Sequence, residues 1–161
     1  MFREMRRFKQ QLSNDECKKI LHAGKTGILA VLGDSGYPYA VPLNYNYDGD
    51  AIYLHCAKSG HKLDAIKRNS KVSFCVVDRD DIFQEKLTTL YRSVVIFGNA
   101  EIIKDESEMR RTVTELAEKY CPDFISEISA EVDSDFERLC MIKINIEHMT
   151  GKQGKELLNQ Q

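Results

Sequence analysis

Residues 54–66, LHCAKSGHKLDAI, hold the densest set of groups in this chain able to bind or move charge. Ser59 is a natural N-cap for a helix beginning just after it, which puts His61 and Lys62 in the first turn. A helix carries partial positive charge at that end, so a histidine and a lysine there are locally unfavourable unless an anion sits beside them. A phosphate would resolve the conflict by accepting backbone N–H groups, the Ser59 hydroxyl and the Lys62 ammonium together. The alternative, two side chains that simply point into solvent, stays open on spacing alone.

Other motifs fail on inspection. Gly24-Lys25-Thr26 has the ending of a phosphate-binding P-loop, but Lys19 stands where the first glycine should be, and a helix rather than a strand precedes it. No GxSxG nucleophile elbow is present. His55, Cys56 and His61 suggest a metal only until their placement is considered: His55 and Cys56 are neighbours on a strand and point to opposite faces, so no metal site is expected. The five cysteines (Cys17, Cys56, Cys75, Cys121 and Cys140) contain no CxxC pair and read as small core residues in a reducing compartment.

The elements that must position these groups follow from period and punctuation. Residues 13–23 form a short amphipathic helix capped by Ser13, with Cys17, Ile20 and Leu21 on one face and Gly24 at its end. From Thr26 the period becomes that of strands, and GDSG and Asp48-Gly49 divide the run into three antiparallel strands joined by hairpins. In the second of these, Tyr39, Val41, Leu43, Tyr45 and Tyr47 alternate with smaller or polar residues. Pro42 interrupts its donor pattern, so this strand belongs at a sheet edge, where free backbone groups could meet a flat ligand or where the proline merely guards against aggregation. The Asp48-Gly49 hairpin joins that edge to the strand leading into Ser59, which would let a ring and a phosphate be parts of one molecule. A short helix containing Leu63 and Ile66 ends at Asn69 as a left-handed cap. Strands over 71–77 and 89–103 are separated by the charged segment DRDDIFQEK, with a bulge or bend at Gly98. A helix covers 108–120 and stops at Pro122; the acid-rich 123–137 is a solvated helix or loop, and a last strand contains Cys140, Ile142, Ile144 and Ile146.

The fold expected is therefore mainly β (α+β), a small antiparallel barrel of about six strands with about three peripheral helices in a single domain, 1–161. With 161 residues, 42% hydrophobic and 30% charged, and a net charge of −2, the chain can bury a real core, and disorder is excluded. Near-neutral charge also argues against a surface built for nucleic acid, so any anion site is local. No apolar stretch approaches the ~20 residues of a membrane span, and MFREMRRFKQQ lacks the apolar middle of a signal peptide, so a cytoplasmic location is expected.

The run PYAVPLNYNYDGDAIYLHCAKSGHKLDAIKRNSKVSF, with MRRFKQQLS before it and YRSVVIFGNAEII and IEHMTGK after it, resembles the pyridoxamine 5′-phosphate oxidase-like flavin-binding split barrels, nearest to their nitroimidazole-resistance (Nim-like) subgroup. The resemblance implies a six-stranded split β-barrel that forms a homodimer, with FMN (FAD being the alternative) in two clefts at the subunit interface. It implies that Tyr39, Val41, Pro42, Leu43 and Asn44 contact the flavin, that His55, Cys56 and Ala57 line it from the next strand, and that Ser59, His61 and Lys62 hold its phosphate. Tyr91, Ser93 and Lys152 would approach the cofactor as well, Ser93 from the partner subunit where the oxidases place a glutamine. The vitamin B6 oxidases have basic residues where this chain has Tyr39 and Asn44, an arginine where it has His61, and a C-terminal segment with tryptophan, arginine and histidine that has no counterpart here. Oxidation of pyridoxamine phosphate is accordingly not expected. The activity implied is an oxidoreductase or nitroreductase passing a hydride from flavin to a small aromatic or nitro-containing acceptor, with Tyr45, His55 and Tyr91 flanking the substrate and His55 and Tyr45 as candidate catalytic groups; His55 is the candidate proton donor because histidine is the residue type suited to proton transfer near neutral pH. A packing role for His55, and a flavin-binding module that stores or senses the cofactor without turnover, are the alternatives. No nucleic-acid or membrane partner is expected.

Overall fold

The computed structural model describes residues 1–158, so residues 159–161 of the expected single domain lie outside the described residues. The first helix, α1 (Asn14–Ala23), starts as its sequence dictates: the Ser13 hydroxyl accepts from the Glu16 N–H at 3.3 Å while the Glu16 carboxylate accepts from the Ser13 N–H at 2.8 Å. Its buried Cys17, Ile20 and Leu21 then face the sheet.

The strands are β1 (Thr26–Leu32), β2 (Pro38–Asn44), β3 (Asn46–Tyr47), β4 (Ala51–Ala57), β5 (Lys71–Phe83), β6 (Thr88–Ile102) and β7 (Leu139–Gln153); α2 (His61–Arg68) lies between β4 and β5, and α3 (Glu106–Tyr120) and α4 (Ile125–Asp135) lie between β6 and β7. All pairs are antiparallel, in the order β2-β1-β5-β6-β7-β4-β3. Among the described residues, seven strands and four α-helices replace the six and three expected, and the ladder is open. The extra strand arises because the alternating run through 39–47 breaks at Tyr45: its first part pairs with β1 and its second with β4, at opposite ends of the sheet. The sheet thus curls until its two edges are consecutive pieces of chain with a slit between them. Pro42 sits on β2, an edge strand, as its missing N–H requires.

The acid-rich 123–137 resolves into the fourth helix, which buries Ile128 and Val132 and leaves its carboxylates outside. DRDDIFQEK does not separate two strands but extends both into a long hairpin, paired from Arg79↔Arg92 to Phe83↔Thr88. Arg92 meets the Asp78 carboxylate at 2.5 Å there, so the charges join the strands that they were expected to interrupt. The bend at Gly98 is real: the β6–β7 register shifts between Phe97 and Gly98, and a Cβ on Gly98 would come within 2.4 Å of the Asn145 carbonyl.

Two buried clusters result. The larger fills the curled sheet with Leu29, Phe74, Val94, Ile96, Ile142 and Ile144; the smaller seats α3 and α4 on the outside of β4 and β7 through Tyr53, Met141, Val113, Ile128 and Val132. Each fully buried side chain of this size contributes roughly 1.5–3 kcal/mol. Among the described residues no helix is long and apolar enough to cross a membrane.

Candidate functional site

At the break, Tyr45 leaves the ladder, and its backbone needs partners from elsewhere. The C-terminal end of α3 supplies them. The Tyr120 hydroxyl accepts from the Tyr45 N–H at 2.9 Å and donates to the Lys25 carbonyl at 2.5 Å, while the Lys119 ammonium donates to the Tyr45 carbonyl at 3.1 Å and lies 4.1 Å over the Tyr45 ring. Burial lowers the Lys119 pKa to about 8. The Tyr45 side chain is fully buried, donates to the Leu21 carbonyl at 2.8 Å, and has its phenol pushed well above the usual tyrosine range by that burial. Tyr45 is therefore a core residue and not the catalytic group expected: alternation picked out the inward face of the strand, which here is the packed one.

Beside the slit, Asn44 and the exposed His55 and Ala57 form one wall of a cavity of about 410 Å³, and Val113, Leu116 and Tyr120 of α3 with Val132 of α4 form the other. Cys56, between the two exposed residues, turns its side chain into the larger core, opposite Cys140 in the β4–β7 register. Burial, reinforced by Cys140, pushes the Cys56 thiol up to about 11. Tyr39, Val41 and Leu43 likewise pack partly against the core, whereas Pro42 and Asn44 face outward.

The start of α2 departs from the expectation at one residue. Gly60, at φ 134°, is the N-cap, and no side chain caps the helix; Ser59 is exposed and outside it. A left-handed φ is open to glycine at little cost, so the chain turns one residue later than a serine cap predicts. Asn69 closes the helix in an extended conformation, not the left-handed one expected. The Leu63 N–H donates to the Gly60 carbonyl at 3.0 Å, which leaves the His61 and Lys62 N–H groups of the first turn, among the described residues, open to an anion. Lys62, half-buried, makes no ion pair among the described residues and lies close enough to Cys56 to favour its thiolate. His61 is already engaged. Its ring stacks on Tyr39 at 4.3 Å and its Nε2 accepts from the Asp34 N–H at 3.3 Å, with the Asp34 carboxylate 3.5 Å away and bound to Arg68 at 2.6 Å. Lys62 and the backbone are thus the groups at this end left to meet an anion, while His61 is held by Asp34 and Tyr39.

Tyr91, Ser93 and Lys152 form a separate group. Ser93 faces Lys152 in register, the Lys152 ammonium lies 5.1 Å from the Tyr91 ring centre, and the Tyr91 hydroxyl donates to Gln10 Oε1 at 3.3 Å. The β7 partner of His55 is Met141, so Lys152 is eleven positions further along that strand. At ~3.3 Å per residue a single protomer does not bring the two groups together.

The residues that sequence reasoning missed are Tyr120, Lys119, Asp34 and the α3–α4 wall. The apolar spacing of α3 was visible but is indistinguishable from ordinary core packing before its docking site is known.

Residues 13–153 match the family model described as pyridoxamine 5′-phosphate oxidase. The chain belongs to this family. Solved structures similar to this oxidase-family chain include a candidate 5-nitroimidazole antibiotic resistance protein of Bacteroides thetaiotaomicron (21% identity, TM-score 0.74, covering 89% of this chain and 86% of that one). A conserved hypothetical protein of Mycobacterium tuberculosis is also similar (23% identity, TM-score 0.81, covering 96% and 92%), as is an FAD-binding protein of Mesorhizobium loti (26% identity, TM-score 0.64, covering 90% and 97%). A comparison with curated proteins gives no match. The first two likenesses concern the fold. The family resemblance read from the sequence is shown by the match.

Proposed function

We propose that this member of the pyridoxamine 5′-phosphate oxidase family is a flavoprotein oxidoreductase, binding FMN or FAD, that reduces a small aromatic or nitro-containing acceptor. The carrying observation is the cavity of about 410 Å³ between the His55–Ala57 end of β4 and the apolar faces of α3 and α4. Its walls suit a flat apolar molecule, and its size is that of a small-ligand site. A flavin also fits the neighbouring groups: the uncapped start of α2 and Lys62 would hold a phosphate, and the outward backbone of β2 and β4 would border the ring. When bound, the flavin supplies the two-electron chemistry. The chain's own residues then orient and shield: Val113, Leu116 and Val132 would exclude water from the acceptor, and His55, which lines the same cavity from its exposed rim, would deliver a proton.

The outer face of β1, β5 and β6 supports a homodimer. It exposes Leu32, Val77 and Phe97, and Ile28, Cys75 and Val95 form a row across it in register. A second copy covering this face would bring its Tyr91, Ser93 and Lys152 toward the cofactor. The five free thiols suit a reducing, cytoplasmic setting.

The visible absorption of purified protein with added FMN or FAD, followed by turnover with NAD(P)H and a nitroaromatic, tests the reading. Flavin absorbance that bleaches and recovers with acceptor is expected. Failure to bind either flavin at micromolar concentration refutes the flavoprotein reading, and a flavin that stays oxidised with every donor leaves a storage or sensing module in its place.

A further inference from the structure

A second cavity, about 470 Å³, lies away from the slit against Tyr91. Arg6, Arg7, Lys9 and Lys155 line it, with Glu156 the sole acid in the lining. Arg6, Arg7 and Lys9 make no ion pair among the described residues, and the single carboxylate is matched by Lys155 at 3.9 Å. In a chain with a net charge of −2, this is a local concentration of unpaired positive charge. The segment bearing it is fastened to the sheet. A 3₁₀ turn over Phe8–Gln10 closes with the Gln10 N–H on the Arg7 carbonyl at 2.9 Å, Gln11 bridges to Lys152, and the Leu12 N–H donates to the Gly151 carbonyl at 3.0 Å. Gln10 is buried and holds the Tyr91 hydroxyl. The cations are thus carried on ordered backbone around the half-exposed Tyr91, whose ring Lys152 flanks.

Guanidinium pairs recognise phosphate by bidentate hydrogen bonds, and an aromatic face accepts a base by stacking. We infer that this cavity binds a nucleoside diphosphate moiety, with its pyrophosphate on Arg6, Arg7 and Lys9 and its base against Tyr91. Two molecules carry that moiety in a flavin oxidoreductase: FAD, in its half remote from the ring, and a pyridine dinucleotide donor. Only the source of the ligand rests on the oxidoreductase reading; the binding does not.

Isothermal titration of ADP into the FMN-loaded and the flavin-free protein tests the inference. ADP is expected to bind both, with affinity falling steeply between 50 and 300 mM salt and at least tenfold in the Arg6→Ala/Arg7→Ala double variant, which keeps its FMN. Both arginines are exposed, so circular dichroism should match the parent. FAD-loaded protein that refuses ADP assigns the cavity to FAD itself; FAD-loaded protein that still takes ADP assigns it to a separate dinucleotide. No binding of ADP at millimolar concentration to either form, equal binding by the double variant, or loss of FMN from that variant overturns the inference. A failed flavin reading would appear separately, as the absence of flavin absorbance, with ADP binding still measured on the flavin-free chain.

Discussion

Replacing Tyr120 by phenylalanine removes one oxygen and leaves the ring in the cavity wall, so it isolates the hydroxyl that holds the slit. That hydroxyl accepts from the part-buried Tyr45 N–H at 2.9 Å and donates to the exposed Lys25 carbonyl at 2.5 Å. Water can take over the exposed carbonyl, and the Tyr45 carbonyl keeps Lys119 at 3.1 Å. The Tyr45 N–H has no replacement, because it faces α3 at a break in the ladder. A net hydrogen bond of ~1 kcal/mol, plus the cost of a partly desolvated donor left unpaired, gives a loss of about 2 kcal/mol. For a chain of this length that lowers Tm by roughly 4–8 °C. Urea unfolding of the flavin-free protein measures it, with an unchanged m-value showing that the native fold is intact. A loss below about 0.5 kcal/mol would mean that α3 is not the clamp and that β2 and β4 hold the slit unaided.

Four other outcomes follow from the geometry. Lys62→Ala should weaken flavin binding at least tenfold in a fluorescence titration, whereas Ser59→Ala should change it less than twofold, because Gly60 and not Ser59 begins α2. Lys119, lowered by burial from 10.5 to about 8, stays protonated in the unfolded chain at pH values where the folded chain has released its proton, so its contribution to stability should rise between pH 8 and 10.5. The half-buried Cys56 thiol, pushed up to about 11, opposes this from pH 9 upward, so the difference between parent and Lys119→Met across that window is the quantity to measure. Alkylation at pH 7 followed by mass spectrometry should modify the exposed Cys121 quickly and the buried Cys17, its thiol pushed up to about 11 by burial, only after unfolding. Phe97→Asp, on the outer sheet face, should convert a dimer to a monomer in light scattering, and a dimer that persists would place the interface elsewhere.

The sheet edge was legible because Pro42 cannot donate to a ladder in any context, and the Gly98 bend because a residue without a Cβ suits close backbone approach. The α2 cap was misread where two adjacent residues compete: Ser59 offers a hydroxyl, but Gly60 alone accepts φ 134° without strain, and backbone cost decided the start. The β5–β6 hairpin was cut short because charge was taken as a loop signal, when pairs such as Arg92 with Asp78 act across strands and cannot be seen along one. Tyr45 and the cavity were illegible for a shared reason. Whether a tyrosine faces a ligand or a core depends on what docks against it, and α3 docks from 75 positions downstream.

That separation bears on how the molecule is made. The slit depends on a tyrosine 75 positions after Tyr45 and 95 after Lys25, so those contacts wait until almost the whole sheet and α3 are in place. Loops of that length close slowly, so β1 and β2 should assemble with an unfastened edge, and the seam should be among the last regions to protect its amides from hydrogen exchange and among the first to lose that protection. A ligand bound across it would then slow unfolding more than it speeds folding, acting as a brake on the same step that the chain reaches last.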